Sequence, residues 1–182
     1  MAPAAILPAS IRIPENWNTF WADKATLKLP PGHGVSHGSC TALHCPTVIT
    51  KNKKYLDIAK KTSHYFISNI ALTGYIPLCD FRQPASAAYT DTSAGLCAAC
   101  GLLEIAEHVD ECEKNLYRTY AELILKHTAE TCCDWNPDTD GIVQNCKVAF
   151  HNDRREQTDL IYADYFLTEA VLRLLGKDFL IW

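Results

Sequence analysis

Three aspartates are placed to move a proton: Asp80 in YIPLCDFRQP at 75 to 84, Asp91 at the head of DTSAGLCAACGLLEI at 91 to 105, and Asp164 in LIYADYFLTEAVLRLL at 160 to 175. A carboxyl group serves as both acid and base only where burial or a neighbouring carboxylate lifts its pKa toward the working pH. Each of the three also has a structural reading. Asp91, followed by Thr92 and Ser93, stands where a helix should start, and a cap lost to alanine costs about 1 kcal/mol. Asp80 can order its loop by pairing with Arg82. Asp164, between Tyr162 and Tyr165 in an apolar run, is a half-buried acid that needs hydrogen-bond donors or a raised pKa. Paired structural acids outnumber catalytic ones, so the structural role is the expected one at all three positions.

Other reactive residues carry weaker signals. His33, His37, Cys40, His44 and Cys45 are ligand types, but their spacing matches no recognised zinc pattern and a second CxxC pair is missing, so no metal is expected there. Cys97 and Cys100 form a CxxC among alanines inside a helical pattern, which fits small buried residues better than a redox pair. Cys132 and Cys133 are assigned no role. Trp17, Trp21 and Trp135 are read as core or loop-shielding residues, the commoner use of such side chains. No GxSxG, glycine-rich phosphate loop or HExxH motif is present, which leaves serine hydrolase, nucleotide-binding and zinc-protease readings without support.

Positioning these residues takes a folded domain. At 182 residues, with 48% hydrophobic and 21% charged, the chain suits one globular domain and is too apolar for disorder. The net charge of −4 and the scatter of basic residues, with KNKK at 51 to 54 the one dense run, exclude a nucleic-acid footprint. No stretch reaches the roughly 18 consecutive apolar residues of a membrane span. MAPAAILPASIRIPE lacks a basic start and is broken by Pro3, Pro8 and Pro14, so it makes a poor signal peptide and a cytoplasmic location is expected. Nine cysteines interspersed with helical apolar patterns fit free thiols rather than a disulfide framework.

Six of the nine prolines and three of the eight glycines precede residue 47, so the chain divides into an irregular segment, 1 to 35, and a domain, 36 to 182. Helices are expected over 53 to 72, with Tyr55, Ile58, Ala59, Phe66 and Ile70 inward and a stop at Thr73 and Gly74; from Asp91 to about His108; and from Asp110 to about 130. In the third, Glu113 gives a capping-box spacing, and Leu116, Tyr120 and Ile124 run down one face. The small residues of the second helix mark it as an inner one. The last helix, from about Asp159 to Leu175, should bury Leu160, Ala163, Phe166, Leu167, Ala170, Val171 and Leu174 and stop at Gly176. Short extended pieces fit at 75 to 79 and 141 to 144. Periodicity thus gives an all-α fold of helix hairpins in layers.

The order KKYLDIAKKTSHYFI, YIPLCDF, DTSA, a small-residue helix ending GLLEI, then DGI and IYADYFLTEAVLRL resembles the carboxyl-terminal half of unsaturated glucuronyl hydrolases, over about residues 36 to 175. The resemblance implies an (α/α)6 barrel, here its second half only. It also implies a glycosidase chemistry in which an aspartic acid protonates a vinyl ether and water adds to the adjacent carbon. The hemiketal then collapses and releases a 4,5-unsaturated uronic acid from the non-reducing end of an oligosaccharide. No cofactor is implied. Ser93, Tyr162 and Gln144 are the sugar contacts that follow from it, with Asp91, Asp164 and Asp80 as weak catalytic candidates.

The chain departs from the family at three places. The family's two catalytic aspartates belong to the half of the barrel that has no recognisable counterpart here. At HGSCTALHC, 37 to 45, where the family usually has a Trp, Ala, Arg, Gly, Gln, Ala, Trp string, Ser39 keeps its register and Ala42 is a weaker match. At DGIVQNC, 140 to 146, Gln144 and Asn145 replace a histidine and a glycine. The alternatives are therefore a noncatalytic or truncated remnant that binds sugar or a partner, and a relative of the unsaturated rhamnogalacturonyl hydrolases. Exposed faces of an incomplete barrel should favour self-association.

Overall fold

The computed structural model describes residues 53–87, 89–147 and 157–177. Four α-helices form among them: α1 (Lys53–Ile70), α2 (Thr92–His108), α3 (Glu111–Thr131) and α4 (Ile161–Leu174), with one 3-10 turn at Ala85–Ala87. The amino-terminal segment, the His/Cys stretch at 33 to 45, Trp17, Trp21 and the side chain of Tyr55 lie outside the described residues.

Every residue from Thr92 to Ala106 of α2 is buried. A helix apolar or small all round is covered on all sides, and α2 is the centre of the fold. Gly95 allows one of its contacts, since a Cβ there would stand 3.0 Å from Pro77 Cδ and 3.5 Å from Ile124 Cγ2 of α3. α2 and α3 are joined by Val109 and Asp110 alone and run antiparallel. α4 lies parallel to α2: Cys100 Sγ donates to the Phe166 carbonyl at 3.4 Å, and further along Arg173 Nη1 donates to Glu104 Oε2 at 2.7 Å. α1 is parallel to α3, tied by Lys60 Nζ to Glu113 Oε2 at 2.7 Å and by His64 Nε2 to the Tyr117 hydroxyl at 3.0 Å. Two inner helices thus run one way and two outer helices the other, the layering of an α/α barrel.

The helix ends follow local chemistry. Gly74 and Gly176 adopt left-handed φ of 66°, and Lys177 N–H closes on the Leu172 carbonyl at 2.9 Å as α4 stops. The capping box of α3 does not form. Asp110 is its N-cap without a side-chain hydrogen bond, and the Glu113 carboxylate, which would complete the box, accepts from Lys60 Nζ instead. Three buried-face expectations are also corrected. Ile58 and Val171 are exposed, and α3 buries Tyr117, Ala121, Ile124, Leu125 and Thr128 while Leu116 faces out. The extended pieces amount to isolated bridges, Leu78 with Thr90, Cys133 with Val143 and Cys146 with Thr158, and no strand forms among the described residues.

Candidate functional site

The amino-terminal ends of α2 and α4 lie side by side, and most of the singled-out polar residues gather there. Asp91 is the N-cap of α2, with φ −135° and ψ 91°, and is 1% exposed. Its Oδ1 accepts from Ser93 Oγ at 2.6 Å, from Lys147 N–H at 3.3 Å and from Ala94 N–H at 3.4 Å. The cap reading is therefore realised, in a form that also gathers a distant loop. Ser93 is hydrogen-bonded in turn to Tyr162, whose phenol is pushed up by burial and keeps its proton at neutral pH. A chain of three polar groups, Asp91, Ser93 and Tyr162, thus links the two inner helices.

The wall of this corner is the segment 144 to 147. Asn145 takes a left-handed φ of 61°, which turns its carbonyl toward α2. That carbonyl accepts from Thr92 Oγ1 at 3.2 Å, from Thr92 N–H at 3.3 Å and from Gln157 Nε2 at 3.0 Å. Gln157 Nε2 also reaches the Thr90 carbonyl and Thr90 Oγ1, both at 2.9 Å. Lys147 is buried, with its ammonium 4.8 Å above the Tyr89 ring. Cys79 lies close enough to feel Asp91, Lys147 and Asp80, and burial pushes its thiol up to about 11. Gln144 is half-buried next to Asn145 and anchored by its own N–H to the Cys132 carbonyl at 2.8 Å.

Asp164 and Asp80 are placed differently. Residues two apart on a helix face opposite sides. Asp164 therefore points away from Tyr162, and its Oδ1 accepts from Val143 N–H at 2.8 Å and Ile142 N–H at 3.1 Å. The turn it holds passes through Gly141, at φ 82°. Asp80 is buried and closes its own loop, accepting from Arg82 N–H at 2.8 Å, with the Arg82 guanidinium at 3.9 Å. The structure thus brings Asp91, Ser93 and Tyr162 together, leaves Gln144 one residue along the chain from the Asn145 that contacts α2, buries Asp80 in its own loop with Cys79 close to both it and Asp91, and turns Asp164 away.

Sequence reasoning missed Lys147, Gln157 and Thr90. All three lie in irregular segments where no period marks an inward residue; a lysine inside NCKVAF was the one available signal. It also missed the buried charges at the other end of α2, where Arg173 joins Glu104 at 2.7 Å and Glu169 at 3.0 Å, and His108 Nε2 lies 2.9 Å from Glu104. Among the described residues no group of three or more His, Cys, Asp or Glu side chains is placed to hold a metal ion, and no helix is long and apolar enough to cross a membrane. The seven described cysteines are free.

No family model matches the chain. A curated relative, the unsaturated glucuronyl hydrolase of Bacillus sp. (strain GL1), is 29% identical over 129 residues, 68% of this chain and 33% of the relative. The chain thus spans about a third of the length of the curated relative it matches. The crystal structure of the Bacillus sp. GL1 enzyme, described as responsible for the degradation of glycosaminoglycan, superposes with a TM-score of 0.67 at 26% identity, over 74% of this chain and 36% of that one. An unsaturated glucuronyl hydrolase specific for heparin gives 0.67 at 25% identity, over 76% and 38%. The enzyme of Streptococcus agalactiae, 18% identical, shares the fold with a TM-score of 0.68 over 79% and 39%. A mutant of that enzyme is complexed with dGlcA-GalNAc6S. In sequence and in fold, this chain is similar to the unsaturated glucuronyl hydrolases, a glycoside hydrolase-like family, and its helices match a fragment of their α/α barrel.

Proposed function

We propose that the corner between α2 and α4 binds the unsaturated uronyl end of an oligosaccharide, as part of a glycoside hydrolase of the unsaturated glucuronyl hydrolase type. The observation that carries this reading is the Asp91–Ser93–Tyr162 chain across two parallel helix starts. Asp91 holds the Ser93 hydroxyl in one orientation. Tyr162, half-buried and kept neutral, supplies a hydroxyl suited to a sugar oxygen, the fully buried Ser93 holds that hydroxyl in place, and the buried Lys147 cation adds a positive field that suits a uronate carboxylate. Gln144 completes the contact set.

In the reaction this site would serve, a carboxylic acid adds a proton to the vinyl-ether carbon and water adds to its neighbour; the hemiketal then collapses and frees the sugar. Asp91, Asp164 and Asp80 each accept hydrogen bonds from the backbone of this fold. Of these, Asp91 is the candidate nearest the sugar contacts. A second reading, a noncatalytic sugar-binding remnant, draws on the same engagement of all three carboxylates. The free thiols suit a reducing compartment, and we place the chain in the cytoplasm.

The test is the loss of ultraviolet absorbance of an unsaturated uronyl disaccharide on adding protein, run beside titration calorimetry with the same sugar. A catalytic decrease lost in Asp91→Asn supports the hydrolase. Binding without a decrease, weakened about tenfold or more by Tyr162→Phe as for a lost hydrogen bond to a polar ligand, supports the remnant. Absence of both rejects the site.

A further inference from the structure

Much of the polar corner between α2 and α4 is out of a ligand's reach. Asp91, Thr92, Ser93, Cys146 and Lys147 are all buried, the last only 3% exposed. The segment 145 to 147 is packed onto the start of α2. The Asn145 carbonyl accepts from Thr92, the Cys146 sulfur accepts from the backbone of Ser93 and of Leu160, and Lys147 N–H donates to Asp91. What a sugar can touch is therefore the half-buried layer, which includes Tyr162, Gln157, Gln144 and Asn145. The Lys147 ammonium, over the Tyr89 ring, attracts a carboxylate through its field but is too buried to hydrogen-bond one.

A uronate held here needs a donor that is both accessible and uncommitted. Tyr162 is already joined to Ser93, and the Gln157 amide already serves Thr90 and Asn145. Gln144 and Asn145 are half-buried, and neither side chain makes a hydrogen bond among the described residues. Of the two, Asn145 is the better fixed. Its carbonyl is held by Thr92 N–H, Thr92 Oγ1 and Gln157 Nε2, which leaves only its own short side chain to turn. Its φ of 61° is one that asparagine tolerates because its side chain can bond the local backbone. Here it does not, and the carboxamide remains open to a ligand.

The geometry points to Asn145 as the residue that selects the uronate carboxylate: its Nδ2 donates to a carboxylate oxygen within the positive field of Lys147, and so favours an acidic over a neutral sugar. This inference rests on the sugar-binding reading above and adds to it the contact that distinguishes the acid. The hydroxyls of Tyr162 and of the sugar ring carry no such preference, since they meet charged and uncharged rings alike.

Titration calorimetry with an unsaturated uronyl disaccharide and with its uronyl methyl ester tests it, beside circular-dichroism melting of each variant. The ester keeps every ring hydroxyl and loses the charge. Wild-type protein should bind the acid about tenfold more tightly than the ester, the scale of a hydrogen bond to a charged group. Asn145→Gly, which suits a left-handed φ, should fold unchanged and reduce that preference to about threefold or less. Asn145→Asp, which keeps the shape but exchanges the amide donor for a negative charge, should bind the ester better than the acid. A full acid preference that survives in Asn145→Gly overturns the inference and leaves the sugar site standing, as does equal binding of acid and ester by the wild-type protein. Wild-type protein that binds neither ligand overturns both.

Discussion

Asp91 carries more of this fold than its place as a helix cap requires. One carboxylate oxygen serves the start of α2, the Ser93 hydroxyl and the backbone of Lys147, 56 residues away. Replacing it with alanine removes a cap worth about 1 kcal/mol and leaves buried donors without an acceptor, each costing about 1–3 kcal/mol. Asp91→Ala should therefore lower unfolding stability by about 2–4 kcal/mol in urea titrations, against about 1 kcal/mol for an ordinary cap. Asp91→Asn, which keeps an acceptor oxygen, should lose less than half as much. Equal losses in the two variants would show that the charge, not the acceptor, is what counts.

At the scale of the elements, α2 fixes the rest through close approach at one end and buried charge at the other. Ala usually stabilises a helix by about 1 kcal/mol over Gly. Gly95→Ala should instead destabilise by about 1–3 kcal/mol, because its methyl meets the Pro77 ring at 3.0 Å and Ile124 of α3 at 3.5 Å, both fully buried. A gain in melting temperature would contradict the packing described. Where α2 and α4 meet further on, Arg173 sits between Glu104 and Glu169, all largely buried. Arg173→Ala leaves two carboxylates there without their cation and should cost about 3–5 kcal/mol. The double variant Glu104→Gln with Arg173→Met, which removes charge from both helices, should recover part of that loss in the same denaturation assay.

For the molecule as a whole, the buried thiols tie stability to pH. Burial pushes Cys79 and Cys133 up to about 11 and Cys146 to about 12. A group whose folded pKa is raised contributes fully below its unfolded value, near 8.5 for a thiol, and that contribution is lost as pH rises toward the folded value. The unfolded chain then releases protons that the folded chain still holds. Melting temperature should hold level from pH 6 to 8 and fall steadily from about pH 9 to 11. Cys146→Ala should make the fall shallower, and an unchanged slope would assign the loss to other groups.

Local chemistry determined which residues become helical, and it was legible in the chain. Apolar periodicity, the aspartate before Thr92 and the glycines at 74 and 176 set four helices to within a few residues. The motif order pointed to a likeness with the unsaturated glucuronyl hydrolases, and the sequence and structural comparisons bear out that likeness over part of the chain. Which face of α1, α3 and α4 turns inward was decided by neighbours far along the chain. Ile58 is exposed and Tyr117 buried because α1 and α3 contact each other through Lys60, His64, Glu113 and Tyr117, a register that no single helix encodes. The corner itself depends on the path of irregular backbone. The turn at Asn145 brings Lys147 to Asp91, and the parallel course of α2 and α4 brings Tyr162 to Ser93. Such contacts span 53 to 69 residues of chain and arise only when the helices pack, which is why the polar residues were visible in the sequence and their meeting was not.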